Sequence, residues 1–96
     1  MIKSLADKAT AALFHGERGR AIRNFPQEVL RVAPRKLDVL NGARELKDLR
    51  SPPGNRLERL RGDLAGMYSI RVNDRWRVVF RWIDGDAHDV SVVDYH

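Results

Sequence analysis

Large apolar side chains occupy every second position from Trp76 to Trp82: Trp76, Val78, Phe80 and Trp82, with Arg75 before them and Arg77, Val79 and Arg81 between them. A period of two is that of a β-strand and cannot line one face of a helix. The run therefore predicts a strand with one face buried and arginines on the other. Asp84-Gly85 follows at once, a dipeptide suited to the two-residue hairpin turn that needs positive φ, and Val90–Tyr95 supplies the returning strand. Upstream, Met67–Val72 alternates in the same way, with Tyr68, Ile70 and Val72 on one face, Ser69 and Arg71 on the other, and a turn at Asn73-Asp74.

Before Gly54 the spacing changes. Asp7 or Ser4 can cap a helix running through Ala9, Ala12, Leu13 and Phe14 and stopping near Gly16. Asn24-Phe25-Pro26 starts a second helix whose Val29, Val32, Ala33, Leu37 and Leu40 recur at three and four. Pro34, lacking an amide donor, is expected to kink or split it, and Asn41-Gly42 to end it. Met1–Leu5 reads as a short edge strand, Ser51–Gly54 as the linker-like stretch, and Arg56–Arg61 as a short charged run. Helices followed by a meander predict an α+β fold: a small curved sheet, antiparallel or mixed, with two N-terminal helices packed on one face. Ninety-six residues suffice for one domain, 1–96. The opposite sheet face is expected to be free, with Arg71, Arg77 and Arg81 pointing at it.

No apolar run reaches membrane-spanning length, there is no signal-peptide pattern, and cysteine is absent, so the expectation is a soluble cytoplasmic protein. The net charge is +5, unevenly spread. Residues 1–66 carry fourteen Lys/Arg against eight Asp/Glu, whereas residues 67–96 carry four against five. Such a basic half speeds encounter with nucleic acid, and equally serves plain solubility. Facing arginines on adjacent strands repel unless an anion sits between them, and a phosphodiester fits the guanidinium fork. An exposed sheet face is also commonly polar with nothing bound to it.

The last strand leads into Asp94-Tyr95-His96, a carboxylate, a phenol and an imidazole. Either these form a solvated tail, or the strand delivers proton-handling groups to a site. Transesterification of RNA needs a base for the 2′-hydroxyl, an acid for the 5′-oxygen and cations for the phosphorane. His96 can act as acid or base, Asp94 can orient it or act as base, and Tyr95 can stack on a nucleobase. Strand alternation predicts Asp94 and His96 on one side and Tyr95 on the other. His15 and His88 read as structural, and three unclustered histidines predict no metal site.

In sequence order, Met1-Ile2-Lys3-Ser4, Pro52–Leu57, Leu60-Arg61-Gly62-Asp63, Tyr68-Ser69-Ile70, Trp76-Arg77 with Phe80, and Asp94-Tyr95-His96 resemble the HigB-type toxins of the RelE/ParE toxin–antitoxin superfamily across essentially the whole chain. The resemblance implies a RelE-like fold and a metal-independent endoribonuclease, without cofactor, that cuts messenger RNA in the A site of the small ribosomal subunit. It leaves a 2′,3′-cyclic phosphate and arrests translation and growth. It implies as partners ribosomal RNA, messenger and a HigA-like helix-turn-helix antitoxin, with operator DNA reached only through the antitoxin, and no membrane. Carried over by position, the catalytic set is His96, Tyr95, Asp94, Arg77 and Glu58, and the phosphate-binding set is Arg61, Arg71, Arg81 and Arg59. Glu58 departs from relatives that have histidine there. Its carboxylate can act as a base, although its charge repels phosphate.

Two other functions fit parts of the pattern. A ParE-like gyrase poison would share the fold but needs no acid–base set. A non-catalytic RNA-binding domain would use the same basic face without cleaving. Messenger fragmentation that depends on His96 separates the nuclease from both.

Overall fold

A computed structural model describes residues 1–95 of the chain. Helix α1 spans Lys8–His15 and α2 spans Gln27–Gly42. The strands are β1 Glu58–Arg59, β2 Met67–Arg71, β3 Trp76–Ile83 and β4 Asp86–Asp94, joined antiparallel in the order β1-β2-β3-β4. The two-helix α+β architecture is the one the alternation and the helical spacings predict.

Local chemistry sets the boundaries. Asp7, in extended backbone, caps α1 by accepting from the Thr10 amide at 2.7 Å. Gly16 ends it at φ 71°, and the Glu17 amide then reaches the Ala12 carbonyl at 2.9 Å. Ser4, the other candidate cap, instead accepts from the Asp89 amide with its hydroxyl. The β3–β4 turn is Asp84-Gly85 with φ of 51° and 82°, the positive pair that a tight hairpin demands. Val79 faces Ser91 while Arg81 faces His88, so β4 carries an extra residue opposite Phe80, and Asp89 takes φ 53° in that bulge. The first residues run parallel to the outer edge of β4 through bridges Ile2–Ala87 and Leu5–Val90, covering an edge that would otherwise be open.

Pro34 does not split α2, which is continuous from Gln27 to Gly42. Val29, Ala33, Leu37 and Leu40 are fully buried against the sheet, and their burial holds the helix together across the missing bond. Pro34 lies on the flank, beside Leu30, in a groove floored by Leu13, Ile22 and Phe25. The carbonyl deprived of its donor, that of Leu30, is therefore off the sheet-facing side.

Ile70, Val78, Phe80 and Val90 close the core from the sheet. Leu49 joins them, fully buried, on a 3-10 turn over Leu46–Arg50 that the periodicity did not reveal. The opposite sheet face departs from expectation. It is not free at its centre, where Ser69, Val79 and Arg77 are all buried.

Candidate active site

Arg77 is the focus of that buried centre, its side chain only 10% exposed. Nε donates to Ser69 Oγ at 2.7 Å, and Nη2 donates to the Arg56 carbonyl at 2.5 Å and the Ser69 carbonyl at 3.4 Å. Nη1 is left facing Glu58, 3.8 Å from Oε1. Burial pushes the Arg77 pKa down, Glu58 and Tyr95 push it back up, and Arg71 and Arg56 push it down. A guanidinium starts so high that it stays a cation throughout the working range. The result is a rigid charge with one nitrogen still able to serve an incoming anion. Partial desolvation lowers the effective dielectric, so that charge acts on a nearby anion more strongly than it would in water.

The like-charge problem foreseen for this face is solved internally. Arg71 stands directly opposite Arg77 in the β2–β3 register and pairs with Asp74 in the following turn. Arg81 pairs with Asp89 at 3.3 Å. Arg59 lies off this face, over the Tyr68 ring with its Cζ 5.8 Å from the centroid, and donates to the phenol at 3.4 Å. Arg61 is exposed just before the Gly62–Leu64 turn and has no ion pair among the described residues.

The strand end separates Asp94 from Tyr95. Asp94 is the register partner of Trp76, whose ring meets Phe25 at 5.4 Å, so it belongs to the helix-facing side and lines a cavity with Phe25, Trp76 and Ser91. Its carboxylate accepts from Arg75 at 3.0 Å. Tyr95 is 40% exposed and close enough to act on the Arg77 charge, and its amide donates to the Arg75 carbonyl at 2.6 Å. The structure thus gathers Arg77, Glu58 and Tyr95 and sets Asp94 on the other side of the sheet. His96 lies outside the described residues.

The basic half looks different. Arg18, Arg20 and Arg23 between the helices, and Arg31 and Arg35 on α2, are exposed and have no carboxylate partner among the described residues. Nor, among those residues, do three of His, Asp or Glu come together as a metal site would require.

Residues 3–96 match a family described as the RelE-like toxin of the type II toxin–antitoxin system HigB. The chain belongs to the HigB-like toxins. Toxin HigB-1 of Vibrio cholerae serotype O1 is 48% identical over 65 residues, 68% of each chain. Endoribonuclease HigB of Proteus vulgaris is 36% identical over 96 residues and aligns along all of both chains. The fold matches that of the YoeB–YefM toxin–antitoxin heterotetramer from Staphylococcus aureus at a TM-score of 0.60 and 15% identity, over 100% of this chain and 98% of that one. A second YoeB–YefM complex from the same organism gives 0.55 at 17% identity.

Ser69 and the Arg56 carbonyl, which hold Arg77, lie within the motifs Tyr68-Ser69-Ile70 and Pro52–Leu57 but were given no role in the site. Ser69 was legible as a small hydroxyl on the arginine face, diagonal to Arg77 across the β2–β3 pair. Nothing in a sequence points to a backbone carbonyl.

Proposed function

We propose that this chain is the toxin of a type II toxin–antitoxin module and a metal-independent endoribonuclease that cleaves messenger RNA in the ribosomal A site. The observation that carries the reading is Arg77: a buried guanidinium locked by three acceptors, with Nη1 turned toward Glu58 and the Tyr95 phenol within reach of its field.

The scissile phosphate enters where Nη1 faces Glu58 and takes over that nitrogen. Glu58, displaced from the cation, accepts the 2′-hydroxyl proton as the oxygen attacks phosphorus. Arg77 stabilises the charge that grows on the non-bridging oxygens, an effect worth about two to three orders of magnitude in rate for one preorganised donor. The P–O5′ bond breaks, His96, two residues past the end of β4 and so not bound to the side of Asp94 by strand alternation, protonates the departing 5′-oxygen, and the upstream fragment keeps a 2′,3′-cyclic phosphate. Tyr95 stacks on the base, while Asp94, through Arg75, holds the end of β4. Arg61 binds a neighbouring phosphate. Arg71 and Arg81 exchange their own carboxylates for the message, and Arg59 stays with Tyr68 at the margin.

So few groups suffice because the ribosome orders the substrate, and proximity of that kind removes several kcal/mol of barrier. Arg18, Arg20, Arg23, Arg31 and Arg35 supply the contact with ribosomal RNA. A HigA-like antitoxin neutralises the toxin and connects it to operator DNA. No helix among the described residues is long and apolar enough to cross a membrane, and the reading assigns the chain to the cytoplasm, where its substrate is.

The test is induced expression with mapping of message ends. Fragments with cyclic phosphate ends should appear only in translated messages and vanish with His96→Ala. Full toxicity of His96→Ala, or intact messages with a rising DNA-damage response, would defeat the proposal.

A further inference from the structure

The nitrogen of Arg77 that faces away from Glu58 is held by a carbonyl, and that carbonyl is itself held in place. Arg56 adopts the left-handed conformation, φ 44° and ψ 59°, directly after a 3-10 turn over Pro53–Asn55, with its amide on the Pro53 carbonyl at 3.1 Å. A non-glycine residue keeps such a backbone only when its surroundings enforce it. The residue before Arg56, Asn55, is fully buried and anchors the turn. Its Nδ2 donates to the carbonyls of Leu49 and Ser51, each at 3.2 Å, and its Oδ1 accepts from Lys36 Nζ at 2.5 Å. Lys36 belongs to α2, behind the sheet. Its ammonium is partly buried, and burial together with Arg71 lowers its pKa. Helix α2 thus holds Asn55 through Lys36, and one peptide bond further along the chain the Arg56 carbonyl accepts from Arg77 Nη2.

We propose that Lys36 and Asn55 are positioning residues for the Arg77 guanidinium, acting through the Arg56 carbonyl and touching no substrate. With that carbonyl aimed, Nη2 is occupied and Nη1 becomes the donor presented to the scissile phosphate. Without it, the guanidinium is held by Ser69 alone, Nη2 keeps only the longer contact to the Ser69 carbonyl, and a fork that must meet a phosphate in one orientation is less well fixed. The assignment rests on the reading of Arg77 as the transition-state cation, but its structural half can be tested without cleavage.

Two arms separate the cases. In the first, the guanidinium N–H signals of Arg77 are followed by nuclear magnetic resonance in the full chain, with no RNA present. Lys36→Met should broaden or move the Arg77 Nε–H and Nη–H signals while the backbone spectrum keeps its dispersion, and Lys36→Arg should restore them. Arg77 signals that are the same in wild type and folded Lys36→Met would overturn the proposal. If Asn55→Ser fails to fold, Lys36→Met still decides, since its side chain is only partly buried. In the second arm, single-turnover cleavage of ribosome-bound messenger should fall roughly tenfold in Lys36→Met with KM unchanged, the size expected when one charge-assisted hydrogen bond is removed. In an Arg77→Ala background the same substitution should cost nothing further, because both act through one group. An additive loss there would overturn the relay. Arg77 signals that respond to Lys36, in a protein that never cleaves, would uphold the relay and sink the nuclease reading instead.

Discussion

Two groups of arginines in this small protein sit in different electrostatic surroundings. Four around β2 and β3, Arg71, Arg75, Arg77 and Arg81, each meet a carboxylate of the same chain: Asp74, Asp94, Glu58 and Asp89. Those around the helices, Arg18, Arg20, Arg23, Arg31 and Arg35, have no such partner among the described residues. The net charge of a region says little about which of its cations an RNA can use. The sheet carries almost no surplus charge, yet it holds the one desolvated guanidinium found among the described residues. The helical half carries nearly all the surplus in a solvated, salt-screened form. The proposed function assigns chemistry to the first region and docking to the second.

Removing the Arg77 charge attacks the first assignment most strongly. Arg77→Ala should lower single-turnover cleavage on ribosomes by about 100- to 1000-fold, the range for removing one oxyanion donor. Retained cleavage in a folded Arg77→Ala protein would erase the distinction between the regions. Replacing Arg18, Arg23, Arg31 and Arg35 together by glutamine should act on the other side. Ribosome affinity should fall and its logarithmic salt dependence should flatten by roughly 0.7–0.9 for each phosphate no longer neutralised, with cleavage of bound messenger unchanged. A change in the cleavage step but not in the salt slope would reverse the roles.

A smaller effect concerns the cap that ties α1 to β4. Asp7 is partly buried, which raises its pKa, yet hydrogen bonds from the Thr10 amide, the Thr10 hydroxyl and Ser91 outweigh this and leave it below the ordinary carboxylate value. A depressed folded pKa contributes stability that is present above about pH 4, the unfolded value, and lost as pH falls through the folded one. Asp7→Ala should therefore cost about 1 kcal/mol in denaturant unfolding at pH 7, and the gap to wild type should shrink in acid. A gap constant with pH would show that the carboxylate charge is immaterial. The smallest effect is expected at the exposed pair. Arg81→Ala should change stability by less than about 0.5 kcal/mol, since surface ion pairs contribute little. A larger loss would mean that the sheet arginines are structural as a set.

Much of the fold was legible because its signals are periodic. Trp76 to Trp82 announced β3, Asp84-Gly85 its turn, and Val29 to Leu40 the buried face of α2. Of the two outcomes expected at Pro34 the split does not occur, because propensity is local, whereas four fully buried side chains on α2 act together across the interruption. Arg77 was picked out in the sequence, but its burial was not, because that burial depends on the segment around Arg56 that folds over it, and no period of two reports such a contact. Asp94 and Tyr95 were separated correctly by alternation. That the carboxylate falls on the helix side followed only from its register with Trp76 and the bulge at Asp89, which shifts the pairing of β4 in a way no residue pattern encodes.

The most direct measurement compares one message, on purified ribosomes and free in solution, incubated with the wild-type protein and with Arg77→Ala. Cleavage confined to the A-site codon of ribosome-bound messenger, ending in a 2′,3′-cyclic phosphate and abolished by Arg77→Ala, is the predicted result. Message left whole on ribosomes saturated with the wild-type protein, or cut equally well without the Arg77 guanidinium, would contradict it.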